Sequence, residues 1–339
     1  MSRGVYLAFA IGLGIQVAAR SCDLCAIYSA DSAQGQRHSG WAMTVSEAFI
    51  SYRTILFNDH ELSPNDPDFR DSSVTHLVPG YNFTKRLGLN LNIPLVYHHF
   101  QRTDLRYSLT DPPVLEQEHG SEFGLGDVSL IARWVAFQKV GMEASFIVTL
   151  LGGVKFPTGD TDRIADEVEQ TRIYDAIVPP GTPHDPLGHS ISGVHAHDLT
   201  LGSGSFDGIF GVTMASRWDR YFLNAQFQYY LRTEGESDFT YGDEIMISGG
   251  PGAYLLLGKS YTLNLQANGG YDSMARDELD GRISNRTGFT AWYLGPQLGF
   301  TFGDRFSTVA GVDIPLDITA NGLQNVPDYR VHASLVWRF

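Results

Sequence analysis

The sequence lacks any apolar run long enough to form a transmembrane helix. The apolar run at residues 5–17 is uncharged, but it is shorter than the roughly 20 residues that a membrane-crossing helix needs. An amphipathic helical pattern of useful length is also missing. These two absences exclude a helical membrane protein and a helix bundle.

Basic residues are few relative to acidic ones. The chain has 24 lysines and arginines against 38 aspartates and glutamates, which gives a formal net charge of −14. Much of the negative charge lies in two polar segments, residues 58–71 and 160–169. Because nucleic-acid binding depends on basic side chains that neutralise phosphates, the composition excludes nucleic acid as a partner.

The motifs of known catalytic sites are incomplete. Residues 188–192 (GHSIS) are close to the G-x-S-x-G nucleophile elbow, but Ser192 stands where the second glycine is required. The stretch LGKS at 257–260 has Ala253 where a phosphate-binding loop needs glycine. The sequence therefore predicts neither an enzyme nor a cofactor.

The N-terminus has the features of a secretory signal peptide. Arg3 precedes the apolar run, which ends in small residues. We expect cleavage after Ala19, so that residues 1–19 form the signal peptide and residues 20–41 form a periplasmic N-terminal segment. A lipid anchor is excluded because alanine, and not leucine, lies three residues before Cys22.

Cysteine is nearly absent, since Cys22 and Cys25 are the only two and form a C-x-x-C pair. In the oxidising periplasm the default state of this pair is a disulfide, which would close a local clasp. The alternatives are a redox pair that exchanges thiols with a partner and a metal site that includes His38. Covalent haem attachment is excluded because Ala26, and not histidine, follows Cys25.

What the sequence does contain is a strict alternation of apolar and polar residues. In the C-terminal stretch 328–339, one face carries apolar and aromatic side chains and the other carries mainly polar ones. This pattern is typical of a strand that contacts lipid on one side and a polar interior on the other. A terminal aromatic residue resembles the closing strand of bacterial outer-membrane barrels, which predicts recognition of Phe339 by the barrel assembly machinery.

Alternating stretches recur along the chain at the length that a tilted transmembrane strand needs. We predict an all-β fold, a transmembrane antiparallel up-and-down β-barrel of the bacterial outer-membrane type over residues 42–339. Short turns alternate with long polar segments, as in barrels with short periplasmic turns and long outer loops. An even strand number places both termini in the periplasm and the barrel wall against outer-membrane lipid. The twelve predicted strands are 42–57, 74–84, 87–99, 126–138, 142–156, 206–218, 221–233, 242–257, 261–273, 289–302, 306–317 and 328–339.

Three glycine-rich phrases occur in order: GLGDVSL at 124–130, KFPTGD at 155–160 and LGSGSFD at 201–207. Together with NIPLVY at 92–97 they resemble the outer-membrane barrels grouped as the phenol-degradation meta-pathway family, often called transporters. The resemblance covers residues 75–339. It implies a barrel of this size and the passage of small, often aromatic or apolar, compounds across the outer membrane. It implies no catalytic residue.

The same phrases place three charged residues at the outer ends of neighbouring predicted strands. Asp127, Lys155 and Asp207 are all predicted to face inward, where they could anchor the 157–205 loop over the pore mouth. One interpretation is a structural ion-pair network at a polar rim. The other is a role in selectivity or gating.

The predicted inward faces carry charges of both signs. In the narrow lumen of such a barrel, facing charges can neutralise one another or can form a polar constriction that selects permeants. The candidate interfacial aromatic residues are Tyr97, Trp134, Trp218, Tyr229, Trp292 and Trp337. The candidate pore-lining residues are Glu47, Arg53, Asp127, Arg133, Glu143, Lys155, Asp207, Arg232, Asp272, Asp313 and Arg330.

The second half of the long loop is rich in histidine. His195 and His197 would share a face in an extended segment, and Asp198 could complete a metal-binding set with them. The spacing matches no established ligand motif, and the alternative is a set of solvated loop histidines.

These patterns predict an outer-membrane channel for the passive passage of small solutes, aromatic or apolar compounds included. The alternative is a barrel without a transport role that anchors or sheathes a periplasmic or surface partner, with a possible redox link through the N-terminal cysteines.

Overall fold

A computed structural model of the chain describes residues 39–62, 68–141, 143–179 and 181–339. The predicted signal peptide and the Cys22–Cys25 pair lie outside the described residues. Long antiparallel strands dominate the described part of the chain. They are β1 (Gly40–Phe57), β2 (Phe69–Asn82), β3 (Leu87–Arg106), β4 in two segments (Val114–Leu125 and Ser129–Val140), β5 (Ala144–Lys155), β6 (Asp207–Trp218), β7 (Tyr221–Leu231), β8 (Glu244–Leu257), β9 (Tyr261–Met274), β10 (Phe289–Phe302), β11 (Phe306–Ala320) and β12 (Leu323–Arg338).

The twelve strands close into one barrel. Each strand pairs with its neighbours in the sequence, and β12 pairs with β1 from Ala42↔Arg338 to Phe57↔Leu323. The first segment of β4 pairs with the half of β3 near the long loops, and the second segment pairs with the half near the short turns. Together the two segments therefore occupy one strand position. The predicted antiparallel up-and-down barrel of twelve strands is therefore confirmed.

Alternation of side chains explains why these residues form barrel strands. In β7, Asn224, Gln226 and Gln228 are buried in the lumen, whereas Phe227 between them is exposed on the outer face. The outer face carries exposed aromatic rings near both ends of the strands, as barrels do at the two membrane interfaces. Near the short turns they include Trp41, Trp134, Trp218, Tyr261, Phe302 and Trp337, and near the long loops Tyr97, Phe123, Phe210 and Trp292.

Glycines and prolines in the strands coincide with interruptions of the hydrogen-bond ladders. In β8, Gly249 and Gly250 have φ angles of 137° and 156° just before Pro251, and the ladder with β9 is interrupted there. The ladder between β10 and β11 stops at Leu294↔Ile314 and resumes at Gln297↔Gly311. Proline is accommodated at such irregularities because it has no N–H to donate.

Replacing Gly295 with alanine is expected to destabilise the barrel. A Cβ atom at this position would lie 1.6 Å from the carbonyl oxygen of Val312, so β10 and β11 would have to separate. We expect the free energy of unfolding to fall by about 3 kcal/mol, measured by urea titration of the folded protein in detergent. The control is Gly152→Ala, because a Cβ at Gly152 meets no atom within 4 Å. Equal urea midpoints for the two variants would contradict the prediction.

The hydrogen-bond ladder between β11 and β12 covers only the halves of these strands that lie near the short turns. It ends at Asp313↔Arg330, although both strands continue toward the long loops. The free edge of β12 bonds instead to the 157–205 loop, because the Asn325 N–H donates to the Gly193 carbonyl at 2.7 Å. The loop is thus held against the inner side of the wall.

The 157–205 loop contains helix α1 (Asp162–Ile177) and a one-turn 3-10 helix at Ala196–Asp198. The sequence predicts no helix here because α1 buries only a few apolar residues, and polar side chains share its buried face. Ile164 and Val168 pack against Leu187, Phe239 and Leu279 from the loop itself and two other outer loops. No helix within the described ranges is long and apolar enough to cross a membrane.

Candidate functional site

Most of the predicted pore-lining residues lie where the alternation places them. The side chains of Lys155, Asp207, Asp272 and Asp313 are buried inside the barrel. Arg133, also on an inward-facing position of β4, donates a hydrogen bond to Asn82 of β2 near the short turns. Arg232 follows β7 and points back toward the lumen, and Asp127 and Arg330 join the two networks described below.

Three of the candidates do not line the pore, so their predicted positions are wrong. Along β1 the even-numbered residues Ala42 to Ile50 are buried, which leaves Glu47 on the outer face, where it accepts hydrogen bonds from Ser73 and Thr75. Arg53 pairs with Asp71 on the same outer face, with its guanidinium 4.1 Å from the Phe69 ring centroid. Glu143 is exposed in the turn that precedes β5.

The structure brings Asp127, Lys155 and Asp207 together at the outer end of the lumen. The Lys155 ammonium lies 2.9 Å from Asp127 Oδ2 and 2.6 Å from Asp207 Oδ2. Asp207 also accepts a hydrogen bond from Arg232 at 2.9 Å, and Arg232 donates to Glu244 at 2.8 Å. The network therefore joins β4, β5, β6, β7 and β8.

Asp127 also binds both ends of the long loop. Its Oδ1 accepts from the N–H groups of Thr158 and Gly159 at 3.2 and 3.0 Å, and its Oδ2 accepts from the Ser203 N–H at 2.8 Å. The two ends touch each other, because a Cβ at Gly159 would lie 2.6 Å from the Gly202 Cα. The three glycine-rich phrases thus meet at one point of the wall.

A cavity of about 180 Å³ lies in the lumen next to this network. Its wall is part apolar and part polar. Charged groups of the network and apolar side chains from the same strands both contribute to it. The lining includes His76, Val96, Lys155, Ile209, Tyr230 and Met246.

A second charged cluster lies deeper along the other side of the lumen. Arg330 donates to Asp272 at 2.6 Å and lies 3.5 Å from Asp313. Its guanidinium also stacks over Tyr293, 3.7 Å from the ring centroid. His332 lies 3.4 Å from the same Asp313 carboxylate. Tyr293 and His332 carry no fixed charge, so a set of candidates chosen by formal charge does not include them.

The predicted metal set is only partly brought together. His195 and His197 are buried with their ring centroids 5.2 Å apart. Asp198 turns away from the two rings, because its carboxylate accepts from the His195 backbone N–H at 3.1 Å and lies 3.6 Å from Arg70. The prediction that Asp198 is the third ligand is therefore wrong. Glu167 of α1 takes that place, with Oε2 2.8 Å from His197 Nδ1.

The surroundings of Glu167 control its ionisation. Burial favours the neutral acid, but the adjacent imidazoles of His197 and His195 outweigh it and hold the pKa of Glu167 well below its usual range. Burial opposes the charged form of His195, while Glu167 and Asp198 raise its pKa overall. The sequence signal for Glu167 was weak, since it lies in a run of acidic residues and far from the histidines in the chain.

A second cavity, of about 360 Å³, lies between α1 and the hairpin of β3 and β4. Its walls are charged. Arg106 pairs with Asp166 at 2.8 Å, and Arg163 pairs with Glu118 at 2.7 Å. These ion pairs attach α1 to the hairpin.

No protein-family model matches the sequence, and no curated protein matches it significantly. An outer membrane channel from Pseudomonas putida F1 is similar in structure, with a TM-score of 0.55 and 13% identity over 89% of this chain and 96% of that one. The TodX deltaS2S3 mutant monoaromatic hydrocarbon channel aligns with a TM-score of 0.43 and 9% identity over 96% and 97% of the two chains. A Pseudomonas aeruginosa FadL homologue aligns with a TM-score of 0.39 and 11% identity over 96% and 100%. The likeness to the Pseudomonas putida channel supports the barrel fold.

Proposed function

We propose that the protein is an outer-membrane channel that passes small solutes, aromatic or apolar compounds among them, by passive diffusion. The observation that carries the proposal is the 180 Å³ cavity inside a closed barrel whose outer face is apolar and whose lumen is polar. A cavity of about 150 Å³ is large enough to bind benzene, so this one suits a solute with a single aromatic ring.

The walls of the cavity fit such a solute. Ile209 and Met246 offer apolar contact to a ring, and Tyr230 offers an aromatic face. Lys155 and His76 offer polar groups to a hydroxyl or carboxylate substituent. A channel with few, weak contacts of this kind lets the solute enter and also leave.

The orientation follows from the same proposal. β1 begins and β12 ends on the side of the short turns, which is the periplasmic side in outer-membrane barrels. The long loops then face outward, and the 157–205 loop narrows the outer mouth. Recognition of Phe339 by the assembly machinery and periplasmic placement of both termini belong to this proposal.

Liposome swelling with phenol, benzoate and arabinose tests the proposed permeants. We expect faster swelling in phenol and benzoate than protein-free liposomes show, and a slower response in the sugar. The matched variants are Met246→Trp, which fills the cavity, and Ile247→Trp, which adds the same ring on the exposed outer face. Phenol flux should fall severalfold in Met246→Trp and stay unchanged in Ile247→Trp.

Planar bilayers provide the contradicting outcome. If purified protein leaves bilayers closed at all voltages, and deletion of the gene causes no uptake defect, the channel proposal fails. Those results would favour a barrel that anchors a periplasmic or surface partner.

A further inference from the structure

The long loop buries three potential metal ligands against one another. Glu167 lies on α1, and His195 and His197 lie at the 3-10 helix. One ligand atom from each residue lies within 4.8 Å of the other two, and the three side chains are at most 3% exposed. Two imidazoles and one carboxylate are a ligand set that Zn²⁺ adopts with a fourth, open position.

Two of these atoms make no hydrogen bond. Glu167 Oε1 and His195 Nδ1 are both fully buried, and they lie 3.5 Å apart. Burial of unsatisfied polar atoms is unfavourable. The separation suits two ligands of one tetrahedral ion, which lie about 3.4 Å apart when each bond is about 2.1 Å long.

One outer hydrogen bond orients the His195 ring toward the carboxylate. His195 Nε2 lies 3.0 Å from the Leu323 carbonyl oxygen. Because a carbonyl can only accept, Nε2 carries the proton, and in the neutral ring Nδ1 keeps its lone pair toward Glu167. His197 Nε2 lies 3.7 Å from the buried Asp277 carboxylate, so this ring also has an acidic group behind it. Metal-binding histidines characteristically have such outer partners.

The buried charges also need compensation. The side chains of Glu167 and Asp277 are 3% and 0% exposed, and within the described part of the chain only histidines pair with either carboxylate. A divalent ion with two neutral imidazoles would balance both negative charges.

We propose that Glu167, His195 and His197 bind one divalent transition-metal ion, with Zn²⁺ the first candidate. The ion joins α1 to the returning half of the loop. Through the bond from His195 to Leu323, it also joins the loop to the outer end of β12. It therefore holds the loop inside the outer mouth of the barrel. The site goes beyond the proposed transport function, and its test does not depend on transport.

Metal content of the purified full chain tests the proposal. The Cys22→Ser, Cys25→Ser background is used because the C-x-x-C pair is a second possible Zn²⁺ ligand set. The protein is stripped with EDTA, dialysed against Zn²⁺ and measured by elemental mass spectrometry. We expect one zinc per chain. Co²⁺ in place of Zn²⁺ should give the strong visible absorption of a four-coordinate site.

The matched variants are Glu167→Gln and Glu169→Gln, since Glu169 lies on the same helix but is exposed. We expect Zn²⁺ affinity to fall at least 100-fold in the first and to remain unchanged in the second. If Glu167→Gln fails to fold, the test uses the metal-free protein with native Glu167, and its thermal unfolding is measured with each ion. There, Zn²⁺ should raise the Tm and Mg²⁺ should not. A stripped protein that takes up no zinc, or equal uptake by both variants, would overturn the proposal.

Discussion

Replacement of Asp127 with alanine is expected to free the 157–205 loop and raise the conductance of the barrel severalfold. The carboxylate accepts hydrogen bonds from N–H groups of Thr158, Gly159 and Ser203, which lie at the two ends of this loop. It also pairs with Lys155 of β5. Thr200 also joins the two ends, because its hydroxyl lies 2.9 Å from both the Asp160 and the Gly202 carbonyl oxygens, but Thr200 belongs to the loop itself and does not attach it to the wall.

The expected size of the effect follows from burial. Each buried donor that loses its acceptor costs about 1–3 kcal/mol. Asp127→Ala removes an acceptor from the buried residues Ser203 and Lys155, whereas the Thr158 N–H is exposed and contributes less. The barrel ladders are not touched, because Asp127 lies between the two segments of β4. We therefore expect the two ends of the loop to detach from the wall while the folded barrel persists.

Planar-bilayer conductance and limited proteolysis measure the two consequences. Cleavage sites in Asp127→Ala should appear within 157–205, mapped by mass spectrometry, and the conductance should rise with them. Asp304→Ala is the control, because Asp304 is exposed in the short turn between β10 and β11. If the loop becomes cleavable but conductance does not change, the network is structural and has no part in gating. If neither changes, Asp127 does not anchor the loop.

The barrel could be predicted from the sequence because strand alternation is a local signal. Successive residues along a strand face lipid and the polar lumen in turn, and the two environments require side chains of very different polarity. β7 illustrates this, since Asn224, Gln226 and Gln228 alternate with apolar residues in the chain and are buried in the structure. Short turns connect consecutive strands, which predicts the order of the strands in the barrel.

Part of the site could be predicted for a related reason. Asp127, Lys155 and Asp207 lie at the ends of strands that are consecutive in the sequence, so pairing of those strands brings them together. Glu167 could not be found in this way. It approaches His195 and His197 only because α1 folds back on its own loop. The apolar pattern of α1 is too weak for the helix to be predicted from the sequence.

The error at Glu47 has a different origin. The prediction put charged residues into the lumen because a charge is unfavourable against lipid. The neighbours of Glu47 indicate the opposite, since Val45 and Phe49 on the same face are apolar and Ser46 and Ala48 are small. The structure follows the neighbours and satisfies the carboxylate with hydroxyl groups of Ser73 and Thr75. The period of a strand thus outweighed the polarity of one residue.

Replacement of Arg330 with methionine is expected to destabilise the barrel and make its lumen prefer cations. Arg330 pairs with Asp272 and Asp313 and stacks on Tyr293, and its side chain is only 12% exposed. Removal of one partner from a buried ion pair costs about 3–5 kcal/mol, because the remaining charge is left uncompensated. Urea titration of the folded protein measures this loss. Arg305→Met, in an exposed turn, should leave the urea midpoint unchanged.

A rescue variant separates charge from packing. In Arg330→Met with Asp272→Asn and Asp313→Asn, no carboxylate of the cluster remains, and we expect most of the lost stability to return. Continued instability would mean that the stacking of Arg330 on Tyr293 contributes more than its charge.

The same set of variants distinguishes the two interpretations of the lumen charges. The native cluster has one guanidinium against two carboxylates, and the triple variant has no charge in the cluster. If these charges serve only to stabilise the wall, the triple variant should conduct with the ion preference of the native protein. If they form a selective constriction, the triple variant should discriminate less between benzoate and phenol, because the fixed charges that act differently on the charged and the neutral solute are gone. Reversal potentials in asymmetric salt measure the ion preference, and liposome swelling measures the discrimination. Native behaviour in both assays would assign Arg330, Asp272 and Asp313 to stability alone.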